Sequence, residues 1–181
     1  MPDQSEQIVV RRAVKNDAEP LAEIGKLTFT LSYKSIIPQD ELKSYTSRAF
    51  GVDRLRSELA DPKITYLLAT VQGSLCGYAR LEPTQPPPEI DGPRPIELTR
   101  LYAMPRWVGR GVGTKLMNAI LGTAVRGDYE SCWLRVWQGN DRAITFYLGW
   151  GFHTVGSEQY FVGRTSRMVL LMMGSLSELG R

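Results

Sequence analysis

The spacing of apolar residues changes period along the chain, and each change marks an element. Ile8 to Ala13 is a short β-branched run and predicts a first strand. Asp17 offers an N-cap, and Leu21, Ile24, Leu27 and Leu31 recur at helical spacing between Ala18 and Ser32. Pro38 opens a second helical stretch that runs to Ala49. A third, Asp53 to Ala60, is stopped by Pro62. The period then shortens. Ile64 to Val71 and Ser74 to Glu82 are β-rich, with Gln72-Gly73 as a tight turn between them. Ile96 to Ala103 reads as a strand. Gly111 to Arg126 reads as a helix with Val112, Leu116, Ile120 and Ala124 on one face. Cys132 to Val136 is a strand and Asp141 to Leu148 a helix. Phe152 to Val162 and Ser166 to Met173 are two final strands, turned at Gly163-Arg164.

The order is one strand, three helices, two strands, then β-α-β-α-β-β. About seven strands in mixed order imply an α/β (α+β) domain whose sheet is mostly antiparallel with one local parallel pair. The domain spans 8–173. Residues 1–7 are polar and acidic and read as a flexible N-terminus; residues 174–181 read as a weakly ordered tail. The proline-rich stretch from Pro83 to Pro95 cannot form a regular hydrogen-bonded element and reads as a surface loop, ordered or mobile.

Composition narrows the function classes. The chain has 181 residues, enough for one domain. A net charge of +3 is too mild for a nucleic-acid binder, though it suits an anionic small ligand. No apolar run approaches the length of a membrane span, and the start has neither the basic nor the apolar region of a signal peptide; the expected location is the cytoplasm. Two cysteines and one histidine leave no zinc site, so no metal is expected. Cys76 and Cys132 lie in apolar runs and read as small buried hydrophobes in a reducing compartment. His153 reads as structural or exposed.

The richest chemistry lies in the strand-to-helix turn from Leu101 to Thr114. Gly109, Gly111 and Gly113 permit a tight turn whose N–H groups, with the positive end of the next helix, form an anion site. Arg106 and Arg110 add charge. The order of residues is not that of a P-loop, and Thr114 stands where the dinucleotide fingerprint needs a glycine. Val108-Gly109-Arg110-Gly111-Val112-Gly113 resembles motif A of the GNAT acetyltransferase superfamily, with Val108 where that pattern has Gln or Arg. Asn140-Asp141-Arg142-Ala143-Ile144-Thr145-Phe146-Tyr147, followed by Gly151-Phe152, resembles its motif B at the usual separation.

The resemblance implies the GNAT fold, with helices on both faces of the sheet, and acetyl-CoA as cosubstrate. It implies that Val108, Gly109, Arg110, Gly111, Val112, Gly113 and Thr114 hold the pyrophosphate. Leu101, Tyr102 and Ala103 would pair with the pantetheine amides as an added strand does. Asn140, with Arg142 beside it, would contact the pantetheine arm, and Tyr147 would sit by the sulfur. A departing thiolate needs a proton, which a phenol can supply. Taken alone, Tyr147 is also a satisfied core aromatic and Asn140 an ordinary N-cap. Val108 keeps the backbone contact of its motif position and loses the side-chain one. No nucleophilic residue stands in a motif position, so the resemblance implies direct attack in a ternary complex, the oxyanion held by backbone N–H groups of the splayed strand.

On the acceptor side, a primary ammonium must lose a proton before it attacks. Glu97, fourteen residues before Gly111, stands at the spacing of the general base in histone-type GNAT enzymes; the alternative is a strand-face glutamate paired with a neighbour such as Arg100. Thr28-Phe29-Thr30-Leu31-Ser32-Tyr33, Glu41-Leu42-Lys43-Ser44-Tyr45, Arg48-Ala49-Phe50, Glu97-Leu98-Thr99-Arg100-Leu101-Tyr102 and Trp133-Leu134-Arg135-Val136-Trp137 resemble PaiA-type spermidine/spermine acetyltransferases, a similarity that spans most of residues 8–173. That resemblance implies a small amine acceptor, a polyamine among the options, met by Tyr33 and the acidic side chains of Asp40 and Glu41. Two other readings remain: a protein N-terminus or lysine as acceptor, and a CoA-binding regulatory module with little turnover. A homodimer is left open.

Overall fold

The structure, a computed structural model, describes residues 7–180. Residues 1–6 of the expected flexible N-terminus lie outside the described residues. The elements follow in the order β1 Ile8–Arg12, α1 Ala18–Tyr33, α2 Gln39–Ala49, α3 Val52–Ala60, β2 Thr65–Val71, β3 Ser74–Glu82 and β4 Pro95–Ala103. After them come α4 Val112–Arg126, β5 Ser131–Trp137, α5 Asp141–Gly149, β6 His153–Val162 and β7 Thr165–Ser175. The strands form one seven-stranded sheet in the order β1-β2-β3-β4-β5-β7-β6. The β4–β5 pair is parallel and the others are antiparallel. No helix among the described residues is long and apolar enough to cross a membrane.

Strand alternation sends side chains to two cores. On β2, Leu67, Ala69 and Val71 meet Val112, Leu116 and Ile120 of α4. Tyr66 and Leu68 point the other way, to Leu21, Phe29, Phe50 and Leu55 of the α1–α3 side. Both faces of the sheet are therefore covered by helices. Gly77 on β3 fixes how closely α4 sits. A Cβ there would lie 2.6 Å from Val112 Cγ1 and 2.8 Å from the Tyr102 carbonyl, so any side chain would push the start of α4 off the sheet.

Two features open the sheet. Leu98 pairs with Leu81 and Arg100 with Arg80, so Thr99 is an extra residue in β4. Such a bulge bends its strand and increases the local twist. The β4–β5 pairing then lasts only from Pro95↔Ser131 to Glu97↔Trp133, although both strands run on. Beyond Glu97 the main-chain edge of β4 facing β5 has no partner strand.

Two expectations change, and one left open is decided. Asp17 does not cap α1; its carboxylate accepts the Val14 N–H at 2.7 Å and pairs with Arg11 through two hydrogen bonds of 2.7 Å. A local ion pair of this geometry outcompetes the cap. The tail is not weakly ordered from Gly174: β7 continues to Ser175, and the next turn buries Leu179 against the α5 core while Gly180 N–H bonds Trp150 O at 2.9 Å. The proline-rich loop is docked, with Ile90 buried against Trp133, Leu171 and Met173.

Candidate active site

The motif A turn is built from the main chain. Met104 N–H bonds Cys76 O at 2.8 Å as β4 ends, and Val108 and Arg110 N–H fold back onto Pro105 O and Trp107 O at 3.3 and 3.2 Å. Gly109 (φ 79°) and Gly111 (φ 86°) take left-handed conformations that cost other residues strain. Gly111 is the N-cap of α4, and the first helical bond runs from Lys115 N–H to Gly111 O at 2.9 Å. The N–H groups of Gly111, Val112, Gly113 and Thr114 have no main-chain acceptor among the described residues. Four free donors at the positive end of a fifteen-residue helix form an anion site.

A groove of about 520 Å³ runs past this turn. Leu101, Tyr102 and Ala103 form one wall and Val108, Gly109, Gly111, Gly113 and Thr114 the head. Asn140, Arg142 and Tyr147 form the other wall. The structure thus gathers most of the residues singled out in the sequence. Val112 stands apart: its side chain is fully buried in the core, so only its N–H faces the turn. Arg110 is exposed with its guanidinium 5.6 Å from the Trp107 ring and does not line the groove. Ser32, Trp107, Ala143 and Phe146 also line it. Phe146 reads as core packing from sequence. Ser32 is not singled out as a site residue in the sequence; tertiary packing of α1 brings it there.

Asn140 is the N-cap of α5, its Oδ1 accepting the Ala143 N–H at 3.2 Å. Tyr147 is buried, and that burial first, then Tyr33 and Cys132 nearby, pushes its phenol above the ordinary value. The hydroxyl is therefore protonated at neutral pH and able to donate. Cys132 is fully buried with its thiol pushed up to about 12 by desolvation, which removes it as a nucleophile. The free N–H groups, the left-handed glycines and the open edge of β4 fit a coenzyme diphosphate and pantetheine.

A second cavity of about 300 Å³ adjoins the groove. Tyr102 lines both, and Ser32 of the groove precedes Tyr33 of the cavity. Glu97 lies in its wall, 5% exposed, accepting from Arg135 Nη1 at 2.7 Å and from the Thr84 hydroxyl at 2.5 Å. Its ion-pair partner is thus Arg135 and not the expected neighbour Arg100. Arg100 instead lies over the Phe50 ring at 4.4 Å and donates to the Tyr66 hydroxyl at 3.2 Å. Tyr33 lines the cavity, its ring under the Arg167 guanidinium at 4.0 Å.

Asp40 and Glu41 do not reach it. Asp40 is exposed and lines neither cavity. Glu41 accepts the Arg164 and Thr165 N–H groups at 3.1 and 3.0 Å and Arg164 Nε at 3.2 Å. The helix start that carries it faces the β6–β7 turn, so its carboxylate is spent on that turn. A larger hollow of about 670 Å³ between β1, β2 and the far end of α4 contains none of the motif residues.

A sequence profile of the Acetyltransferase (GNAT) family matches residues 31–152. The chain is 32% identical over 148 residues to the uncharacterized N-acetyltransferase Rv2669 of Mycobacterium tuberculosis, covering 81% of this chain and 90% of that protein. It is 33% identical over 99 residues to the N-alpha-acetyltransferase RimI of the same organism, covering 55% of this chain and 58% of RimI. Its fold matches the crystal structure of PaiA N-acetyltransferase from Thermoplasma acidophilum in complex with coenzyme A with a TM-score of 0.73. The match covers 93% of this chain and 99% of that one at 19% identity. The chain belongs to the GNAT acetyltransferase family. It is an N-acetyltransferase with acetyl-CoA as its cosubstrate.

Proposed function

We propose that the protein acetylates the primary amine of a small molecule by direct attack, with both substrates bound at once. One observation carries this reading. The groove and the second cavity meet at Tyr102, on the stretch of β4 that runs on beyond its last pair with β5 at Glu97. An amine in the second cavity and a thioester at the open edge of β4 then face each other.

In this reading Gly111 to Thr114 hold the diphosphate through their N–H groups, and the open edge of β4 takes the pantetheine amides. An alkyl ammonium loses its proton only above about pH 10.4, so the neutral form costs ~4–5 kcal/mol at neutral pH. The arginines lining the cavity lower that cost, because like charge disfavours the ammonium. Glu97 takes the proton through water. The nitrogen then bonds to the acyl carbon as the C–S bond breaks. Tyr147 gives its proton to the departing sulfur and is reprotonated by the proton the nitrogen sheds. Main-chain N–H groups of β4 beyond Glu97 face the developing oxyanion.

A polyamine acceptor rested on Tyr33 together with Asp40 and Glu41. Of these we retain Tyr33 alone as part of the acceptor wall. The similarity to RimI favours a second reading, a protein N-terminus as acceptor. Initial velocities with acetyl-CoA and a panel of amines and N-terminal peptides decide among these. We expect small amines to be acetylated with intersecting double-reciprocal lines. Parallel lines would mean an acetyl-enzyme and overturn direct attack. Turnover confined to peptides would overturn the small-molecule acceptor.

A further inference from the structure

The charges around the acceptor cavity do not match. Five arginines and two glutamates line it. Glu82 pairs with Arg80 and Glu97 with Arg135. From just outside the wall, Glu58 pairs with Arg54 and Arg80, and Glu158 with Arg135. Every carboxylate of the wall is thus already paired. Arg167 is not, and among the described residues no carboxylate lies within ion-pair distance of Arg100 either; it meets Glu58 only at longer range and through the Tyr66 hydroxyl.

Both guanidiniums are held in place by something other than an anion. The Arg167 guanidinium carbon lies over the Tyr33 ring, 4.0 Å from its centroid, and that of Arg100 over the Phe50 ring at 4.4 Å. Stacking fixes a guanidinium by its face and leaves its N–H edge to a ligand. Arg167 Nη1 is out of solvent and has no hydrogen-bond partner. A charged donor without a partner in such a position is costly, and a protein keeps one where a ligand completes it. The tyrosines 33, 45, 102 and 160 also line the cavity, and a phenol can donate to an oxyanion.

We infer that the acceptor amine also carries an oxyanion, a carboxylate or phosphonate-like head, held by Arg100 and Arg167. This rests on the small-amine reading above and deepens it. It also explains why the cavity is ill suited to a polycation, which finds no unpaired carboxylate there. The planar fork of arginine matches both kinds of head.

Matched acceptors test the inference in the native protein: an amino acid, its carboxamide, the alkylamine of the same length, the corresponding aminoalkylphosphonate, and spermidine. The readout is kcat/KM from CoA release. We expect the carboxylate or the phosphonate to exceed the carboxamide by ~10-fold or more, since a site built for a charged group rejects the analogue lacking it. Which of the two is preferred identifies the head group. In Arg167→Gln that ratio should fall towards one through a rise in KM for the acid. Acetyl-CoA affinity by calorimetry reports that the variant is folded. Equal or better turnover of the carboxamide or spermidine overturns the inference, as does a ratio that Arg167→Gln leaves intact. If acetyl-CoA binds and no amine is acetylated, the small-amine reading fails instead. The inference is then decided by calorimetry of the N-acetylated acid against its amide on the CoA-loaded protein. Equal affinities overturn it and tighter binding of the acid upholds it.

Discussion

The coenzyme groove and the acceptor cavity share Tyr102, yet they are built differently. The groove's head is main chain: two left-handed glycines and the first turn of α4 aim N–H groups at one place. The whole device occupies a few consecutive residues. The acceptor cavity is side chain. Its wall draws Tyr33 from α1, Tyr45 from α2, Arg54 from α3, Arg135 from β5 and Arg167 from β7. A main-chain device binds what every reaction of the class shares and tolerates little change. A side-chain wall can be rewritten one residue at a time, and acceptor choice resides there.

The largest effect expected on this contrast comes from Tyr147, which lies on the groove side but serves the chemistry. Tyr147→Phe removes the proton donor and keeps the ring packed at 5.6 Å from Phe146 and 5.9 Å from Phe152. Turnover should fall ~10²-fold or more, the scale of general acid catalysis. Acetyl-CoA affinity in calorimetry should stay nearly unchanged. An unaltered kcat would remove Tyr147 as the acid.

Gly111→Val comes next and tests the main-chain half. At φ 86° a β-branched residue is strained by ~1–3 kcal/mol. Space is not the obstacle, since the nearest atom to a Cβ there is Ile8 Cδ1 at 3.9 Å. Relaxing the strain turns the donors away, so the dissociation constant for acetyl-CoA should rise ~10–100-fold. Unchanged affinity would mean that the diphosphate is held elsewhere.

The same contrast explains what could be read from the sequence. The strands and helices follow their apolar periods to within one or two residues, although Leu27 and Leu31 of the α1 stripe are exposed and β6 buries little beyond Val162. The turn from Val108 to Thr114 was legible because it is contiguous and its glycines have one physical use. Asn140 and Tyr147 followed from a motif at fixed spacing on one helix. The acceptor wall was not legible. Glu97 lines the cavity, but its partner Arg135 lies 38 residues away on a strand whose pairing sets the contact. Asp40 and Glu41 were misread because a helix start looks the same whether its carboxylates face a cavity, solvent or a turn. Arg100 and Arg167 gave no signal, since an arginine on a strand does not announce that it lacks a counter-ion.

Glu97→Gln sharpens the side-chain half. It removes a proton acceptor while keeping the shape and the bond to Thr84. We expect kcat/KM for the amine to fall ~10-fold or more, with acetyl-CoA affinity unchanged. A drop in melting temperature with kcat/KM unmoved would make Glu97 the anchor of Arg135 and nothing more.

The smallest effect lies at the outer edge of the acceptor wall. Glu41 ties α2, which supplies Tyr45, to the β6–β7 turn, whose strands supply Tyr160 and Arg167. Hydrogen bonds from Thr165 first, and from Arg164, hold its carboxyl below the ordinary range against the opposing effect of burial. A carboxyl depressed on folding contributes stability that is complete above its unfolded value, near pH ~4.3. That contribution fades as pH falls through the lower folded value. Glu41→Gln should therefore melt earlier than the native chain at neutral pH, and the gap should close as pH falls through that lower folded value and the native carboxyl becomes neutral too. KM for the amine should rise while acetyl-CoA affinity holds, since the loosened strands belong to one cavity and not the other. Equal loss at both sites would mean that the two regions do not behave as separable halves.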